Sequence, residues 1–368
     1  MKIAIIGAGI VGSTAAYYLQ KNGQKEVTLF DYGQGQATKA AAGIISPWFS
    51  KRRHKAWYRM ARLGADFYQQ LVSDLQTDGF ATDFYQQNGI YLLKKQEEKL
   101  KDLYQLALSR KEESPLIGHL EVKKREEIQE EFPDLVGFDS CLYASGAARV
   151  EGATLCEVLL EASGYPVIRQ KVNLKQHGSS YEITGHDFDQ VILAAGAWLP
   201  DLLMPLGYQV DVRPQKGQLL DYVCEDWASD AYPVVMPEGE LDIIPFNQGK
   251  ISVGASHEND KGYDLEPDWQ VLEKLEMQAF TYLPTLKEAT QKAYRVGIRA
   301  YTSDYSPFYG QVPNLKHLYV ASGLGSSGLT VGPLIGHELV QLLLGKEARL
   351  RAADYSTNRY LFPANGKA

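Results

Sequence analysis

The chain has 368 residues, enough for two domains at the usual ~100 to 200 residues each, and its composition is that of an ordinary globular protein. A net charge of −7 with scattered basic residues argues against a nucleic-acid binder. The 3 cysteines, Cys141, Cys156 and Cys224, are too few and too scattered for a disulfide framework or a zinc site, and no apolar run approaches the ~18 residues of a membrane span. Buried free thiols and a first strand starting at Lys2, which leaves no room for a secretory leader, lead to the expectation of a cytoplasmic protein.

Met1 to Ile6 is an apolar run of strand length that breaks into Gly7-Ala8-Gly9-Ile10-Val11-Gly12 and a helix. In that spacing Gly7 permits the tight turn, Gly9 lets backbone approach a pyrophosphate, and Gly12 lets the helix pack on the strand. Val27 to Phe30 is a second short strand, and Asp31 closes it where an acid can accept ribose hydroxyls. Adenosine joined to a pyrophosphate is the ligand this implies; the alternative is an ordinary strand-to-helix turn. The small-residue stretch Gly33 to Pro47 could lie against a flat ring or form a short surface helix. Trp48 to Leu75 has the pattern of an amphipathic helix, entered through Lys51, Arg52, Arg53 and Lys55. Those charges read as a solvated face, with substrate steering as the alternative.

Further along, Gly89 to Leu93 reads as a strand, and Gln96 to Ser109 and Lys123 to Glu131 read as charged helices, the second stopped by Pro133. Arg149 to Gly164 reads as a helix entered near Gly152 to Thr154; Tyr165 to Val172, Tyr181 to Thr184 and Val191 to Ala195 read as strands. Residues 206 to 300 lose the βαβ rhythm, and short runs such as Gly217 to Val223, Leu241 to Pro245 and Lys250 to Ala255, with a helix at Trp269 to Phe280, suggest an antiparallel sheet. Leu318 to Ala321 restores the rhythm, running through a glycine-rich turn, Ser322 to Thr330, into a helix stopped by Gly345. That helix N-terminus would offer amides to an electron-rich ring edge, unless it is only a glycine-rich turn.

GAGIVG with Asp31, ATKAAAG, VILAAGAW, RPQKGQ, ISVGASHE, GIR with Thr302 and Asp304, Pro307 with Gly310, and SGLGSSGLT occur in one order. Together they resemble the FAD-dependent amino-acid oxidase superfamily, in its glycine oxidase, sarcosine oxidase and D-amino-acid dehydrogenase branch, over essentially the whole chain. The resemblance implies an α/β fold with an α+β part: a Rossmann-like FAD domain built from residues 1–82, 140–205 and 300–368, and an antiparallel-sheet substrate domain from 83–139 and 206–299. It implies FAD contacts at Gly7, Gly9, Ile10, Val11, Gly12, Asp31, Tyr32, Thr38, Ala42, Gly43, Ile44, Val172, Ala195, Gly196, Trp198, Arg299, Gly323, Gly325, Ser326, Ser327, Gly328, Leu329 and Thr330. No metal is implied. Arg299 matches the arginine that grips a substrate carboxylate, a task for which the guanidinium fork is suited. Ile45, Asp242 and His257 fall at other pocket positions. Asp242 stands where glycine oxidase has a tyrosine and His257 where it has a methionine, so a more polar pocket is expected unless both turn away from it.

Relatives tether FAD through a C-terminal cysteine or through a histidine in the small-residue stretch; here no cysteine follows Cys224, and the second position is Ala40. Non-covalent FAD is therefore expected. The implied reaction is oxidation of a small amino acid or N-methyl amino acid by hydride transfer from Cα to flavin, giving an imine that hydrolyses to an oxo acid, with oxygen or another acceptor taking the electrons. Three alternatives stay open: a 2-hydroxy acid as substrate, a flavin-binding protein without catalysis, and an NAD-dependent dehydrogenase.

Overall fold

The computed structural model describes residues 1–52, 54–225 and 227–364, so Arg53 of the basic cluster lies outside the described residues. Ile3–Ile6 is apolar throughout and buried on both faces, as the middle strand of a parallel sheet must be. Val27–Phe30 and Gln190–Leu193 flank it in parallel, with Ile3 opposite both Val27 and Gln190. Val167–Ile168 extends the sheet on one side, Leu318–Ser322 on the other, and Phe308–Gln311 closes it as an antiparallel edge, giving 6 strands.

The first helix, Ile10–Lys21, is buried from Ile10 to Leu19 because helices Gly152–Ser163 and Gly328–Leu343 pack against it. A helix that is covered on every side can use small residues all round, and Ser13, Ala15 and Ala16 supply them. The crossing with the last helix is close. A Cβ on Gly332 would lie 2.5 Å from Cγ2 of Ile10, and one on Gly336 would lie 2.6 Å from the Val11 carbonyl oxygen.

A second sheet has 8 strands in the order Gln291–Tyr301, Arg213–Val223, Lys250–Gly254, Asp242–Pro245, Val234–Met236, Ile90–Leu93, Ser140–Ala144 and Leu120–Lys124. Its pairs are antiparallel except Val234–Met236 with Ile90–Leu93. The expected α/β architecture with an added antiparallel sheet is thus the one found. Ser140–Ala144, expected in the nucleotide-binding part, pairs in this second sheet instead.

Several expected elements are shorter or of another type. The helix expected from Trp48 begins at Lys55, where the Trp57 N–H donates to Nδ1 of His54 at 3.0 Å; Pro47–Phe49 is a separate short turn. Tyr165 to Val172 contributes only Val167–Ile168, because its partner strand ends at Phe30 and nothing remains for the rest to pair with. Lys123 to Glu131 is helical only over Arg125–Ile128. Leu120–Lys124 is an edge strand on Ser140–Ala144, and its charges suit an edge that faces water. Arg149 belongs to the strand Ala148–Val150, not to the helix, which starts at Gly152. Trp269–Phe280 has the expected bounds, capped by Asp268. Among the described residues no helix is long and apolar enough to cross a membrane.

Candidate active site

A cavity of about 780 Å³ lies between the two sheets. One wall is made by the segments just beyond the carboxyl ends of four parallel strands: Gly7 to Val11, Asp31 and Tyr32, Ala195 to Trp198, and Gly325 to Thr330 without Gly323. Ligands of open α/β sheets bind at this end because helix N-termini and glycine turns converge there. Thr38, Ala42, Gly43, Ile44 and Val172 complete that wall. The opposite wall belongs to the large sheet and carries Gly217, Asp242, His257, Arg299 and Tyr301.

Three expected contact residues stand behind the wall. Gly12 is a packing glycine, since a Cβ there would come within 1.8 Å of the Gly7 carbonyl oxygen. Gly323, with φ +74, is pressed between Thr302 and Ser306. Ile45 is 1% exposed and sits in the core, which corrects its expected contact with substrate. Alternation along the short strand Ile44–Ile45 is the reason: Ile44 borders the cavity, so its neighbour points away. All the other expected positions line the cavity.

The nucleotide end has the chemistry for an adenosine diphosphate group. The Asp31 carboxylate is 5% exposed and accepts from the Ala8 N–H at 3.0 Å and from Nε2 of Gln36 at 2.8 Å, with Arg169 as ion-pair partner. Helices Ile10–Lys21 and Gly328–Leu343 both begin at the cavity, and neither N-cap residue, Gly9 or Ser327, makes a side-chain cap. Their opening amides and positive dipole ends are suited to a pyrophosphate and to an anionic ring edge. A Cβ on Gly9 would meet Oγ1 of Thr38 at 3.3 Å, so a side chain there would crowd the approach to the first helix.

The small-residue stretch is fastened to the large sheet from two directions. The Ile298 N–H donates to the Gly35 carbonyl at 3.0 Å, and Gly297 lies so close that a Cβ would be 2.7 Å from Cβ of Ala40. Arg295 holds Asp221 through Nε at 2.7 Å and Nη2 at 2.9 Å, while its Nη1 reaches the carbonyls of Lys39 at 3.1 Å and Ala41 at 3.2 Å. A wall for a flat ring system is thereby fixed in place.

Arg299 is held through one nitrogen only. Its Nη1 donates to the Ser256 carbonyl at 2.8 Å and to Oε1 of Gln215 at 3.1 Å, and among the described residues no carboxylate comes within the 4.0 Å of an ion pair. The guanidinium lies flat over Gly217, where a Cβ would be 2.6 Å from Cζ. Burial lowers the Arg299 pKa, opposed by the nearby Tyr301 hydroxyl and the carboxyl groups of Glu258, Glu240 and Asp242. Asp242, at the start of the strand Asp242–Pro245, has its carboxyl pKa pushed up to about 7 by burial, with Arg299 opposing the rise. The His257 pKa is lowered by burial and by Arg299, and its Nδ1 is 4.0 Å from Glu240. Asp242 and His257 both border the cavity.

Sequence reasoning missed several lining groups. Lys51 and Arg52, read as a solvated face with substrate steering as the alternative, border the cavity, and Arg52 stacks on Trp57 at 4.7 Å and donates to the Tyr305 carbonyl at 3.0 Å. Gln215 and Gly217 sit in the RPQKGQ stretch, but their service to Arg299 depends on the pairing of Gln215 with Arg299 across two strands. Tyr301 lies two residues after Arg299, and no local pattern marks it; its hydroxyl accepts from the Ser326 N–H at 3.0 Å and so joins the two walls.

Comparison with known proteins agrees with this geometry. The family model for FAD-dependent oxidoreductases (DAO) matches residues 2–342. An uncharacterised oxidoreductase of Bacillus subtilis is 38% identical over 367 residues, covering 95% of this chain and 97% of the relative. The glycine oxidase of Pseudomonas aeruginosa is 30% identical, with 96% of this chain and 98% of the relative covered. Among solved structures, an iminodiacetate oxidase from Chelativorans sp. BNC1 superposes with a TM-score of 0.92 at 31% identity, covering 96% of this chain and 98% of the other.

Proposed function

The chain belongs to the FAD-dependent oxidoreductase family, and on that premise we propose that it oxidises a small amino acid or an N-substituted amino acid at Cα. The observation that carries this reading is Arg299, a cavity-lining guanidinium with Nη2 and Nε unpartnered among the described residues. Its free edge matches a substrate carboxylate in two parallel hydrogen bonds. Glycine and iminodiacetate, after which two relatives are named, are both α-amino carboxylates, which supports the same class.

Bound FAD supplies the two-electron acceptor for a hydride from Cα, and the imine left behind is hydrolysed by water. In this reading Arg299 fixes the carboxylate and so sets which substrate bond meets the ring. The stretch from Thr38 to Ile44, fastened by Arg295, would support one side of the flavin ring, and the N-terminus of helix Gly328–Leu343 would stabilise negative charge on it. Asp31 and the Gly7 to Val11 turn would hold the ribose and pyrophosphate. Oxygen or another acceptor then takes the electrons. The test is anaerobic bleaching of the flavin across a panel of D- and L-amino acids, N-methyl amino acids and 2-hydroxy acids; bleaching by no member would end the proposal.

Two further expectations belong to this reading. Ala40 borders the cavity and Cys141, Cys156 and Cys224 are all buried, which supports non-covalent FAD. Acid precipitation is expected to release all of the yellow colour into the supernatant, and colour left on the pellet would contradict it. Gly217→Ala puts a methyl group where the Arg299 guanidinium lies, so kcat/KM is expected to fall about tenfold or more through KM, with flavin content kept. Three buried free thiols support a cytoplasmic location.

A further inference from the structure

Arg299 explains how a carboxylate is held, but it does not distinguish an amino acid from a hydroxy acid. The group that does so should sit in the same cavity and carry the opposite charge. Asp242 borders the cavity, and among the described residues nothing lies in hydrogen-bonding or ion-pair distance of its carboxylate. Its oxygens are not among the fully buried unpartnered atoms, so in the free protein they face the cavity, where a bound group with N–H donors can meet them. Its strand position is fixed: it pairs with Gly254, which pairs in turn with Leu219. Arg299 is within electrostatic reach of it but outside the 4.0 Å of an ion pair. A separated cation and anion on one wall are complementary to a zwitterion.

We propose that Asp242 receives the substrate's amine: its carboxylate pairs with the ammonium of a bound amino acid and removes one proton from it. An N–H bond breaks and an O–H bond forms on Asp242, and the electron pair stays on nitrogen. The neutral amine can then support loss of a hydride from Cα, and the proton leaves Asp242 to water when product departs. This deepens the amino-acid reading and rests on it.

The surroundings suit the role. The charged group that acts on Asp242 is Arg299 from Gln291–Tyr301; His257, beyond Lys250–Gly254, and Glu240, just ahead of the Asp242 strand, lie 4.0 Å apart and share the field of Arg299. Burial raises the Asp242 pKa to about 7, with Arg299 opposing. The carboxylate therefore exists above about pH 7 in the free enzyme and is lost as pH falls through that value, taking ammonium recognition with it.

The experiment compares wild type with Asp242→Asn in the flavin-loaded protein. Binding of 2-aminoisobutyrate, which has no Cα hydrogen to lose, and of 2-hydroxyisobutyrate is read from the flavin spectrum, and kcat/KM for the best amino acid is followed from about pH 5 to 10, a range that brackets the Asp242 pKa. Wild type is expected to prefer the amino probe above pH ~7 and to show an acid limb in kcat/KM near that value. In Asp242→Asn the preference should vanish, the limb should disappear, and kcat/KM should fall roughly 100-fold, the low end of what proton transfer contributes. An acid limb and a probe preference unchanged in the variant overturn the proposal and direct attention to His257. Loss of every amino-acid signal in wild type would instead mean that the substrate reading had failed.

Discussion

Arg299→Ala is expected to lower kcat/KM for the best carboxylate substrate by about two orders of magnitude or more. A bidentate charge-assisted pair in a water-poor site is commonly worth a few kcal/mol, and each ~1.4 kcal/mol is a factor of ten. Arg299→Lys keeps the charge but loses the planar fork, so it should recover only part of the loss. Flavin content should hold in both variants, because the guanidinium is anchored to Gln215 in the large sheet and to Ser256 just beyond its strand Lys250–Gly254, and not to the nucleotide end. A second effect separates this from general damage. Arg299 is the neighbour that opposes the rise of the Asp242 pKa, so its removal should move the acid limb of activity to higher pH. An Arg299→Ala enzyme that bleaches at the normal rate would show that the carboxylate is held elsewhere.

Gly9→Val is expected to leave a folded protein with little or no flavin. Gly9 has φ −75 and ψ −170, a conformation valine adopts freely, so backbone strain is not the cause. The side chain would instead fill the approach to the first helix, already only 3.3 Å from Oγ1 of Thr38 at its Cβ. Flavin occupancy should drop by roughly an order of magnitude or more, since the pyrophosphate needs the backbone itself. Full occupancy in the variant would place the phosphates elsewhere.

These residues were legible in the sequence for different reasons. The run from Met1 to Asp31 is readable because its signals are local: strand, glycine turn, helix and acid succeed one another, and the pairing of Ile3 with Val27 brings them together without help from distant chain. Trp269–Phe280 is equally local, with its own cap at Asp268. Leu120–Lys124 is not, because its charged sequence favours a helix and only the partner strand Ser140–Ala144 makes it a strand. The same holds within the site. Arg299 stands out in its motif, whereas Gly217 serves it only because two long strands pair in one register, and Lys51 and Arg52 become cavity residues only when Trp57 and Tyr305 arrive beside them. Ile45 failed because a motif match assigns a segment, while the pleat decides which of two neighbours faces the site.

The crossing of the first and last helices also has a consequence for how the chain is made. Ile10–Lys21 cannot be covered until Gly328–Leu343, with Gly332 and Gly336 at the contact, has been synthesised. At ~5–20 residues per second, the roughly 300 residues between them take on the order of 15–60 s, during which the first helix has a bare apolar side. The strand Gln190–Leu193 waits as well, since its neighbour Leu318–Ser322 is also made late. A nascent chain of this kind exposes unfinished apolar surface while residues 22–327 are made, so slower translation over that span is expected to raise its aggregation, measurable as the soluble fraction at two elongation rates.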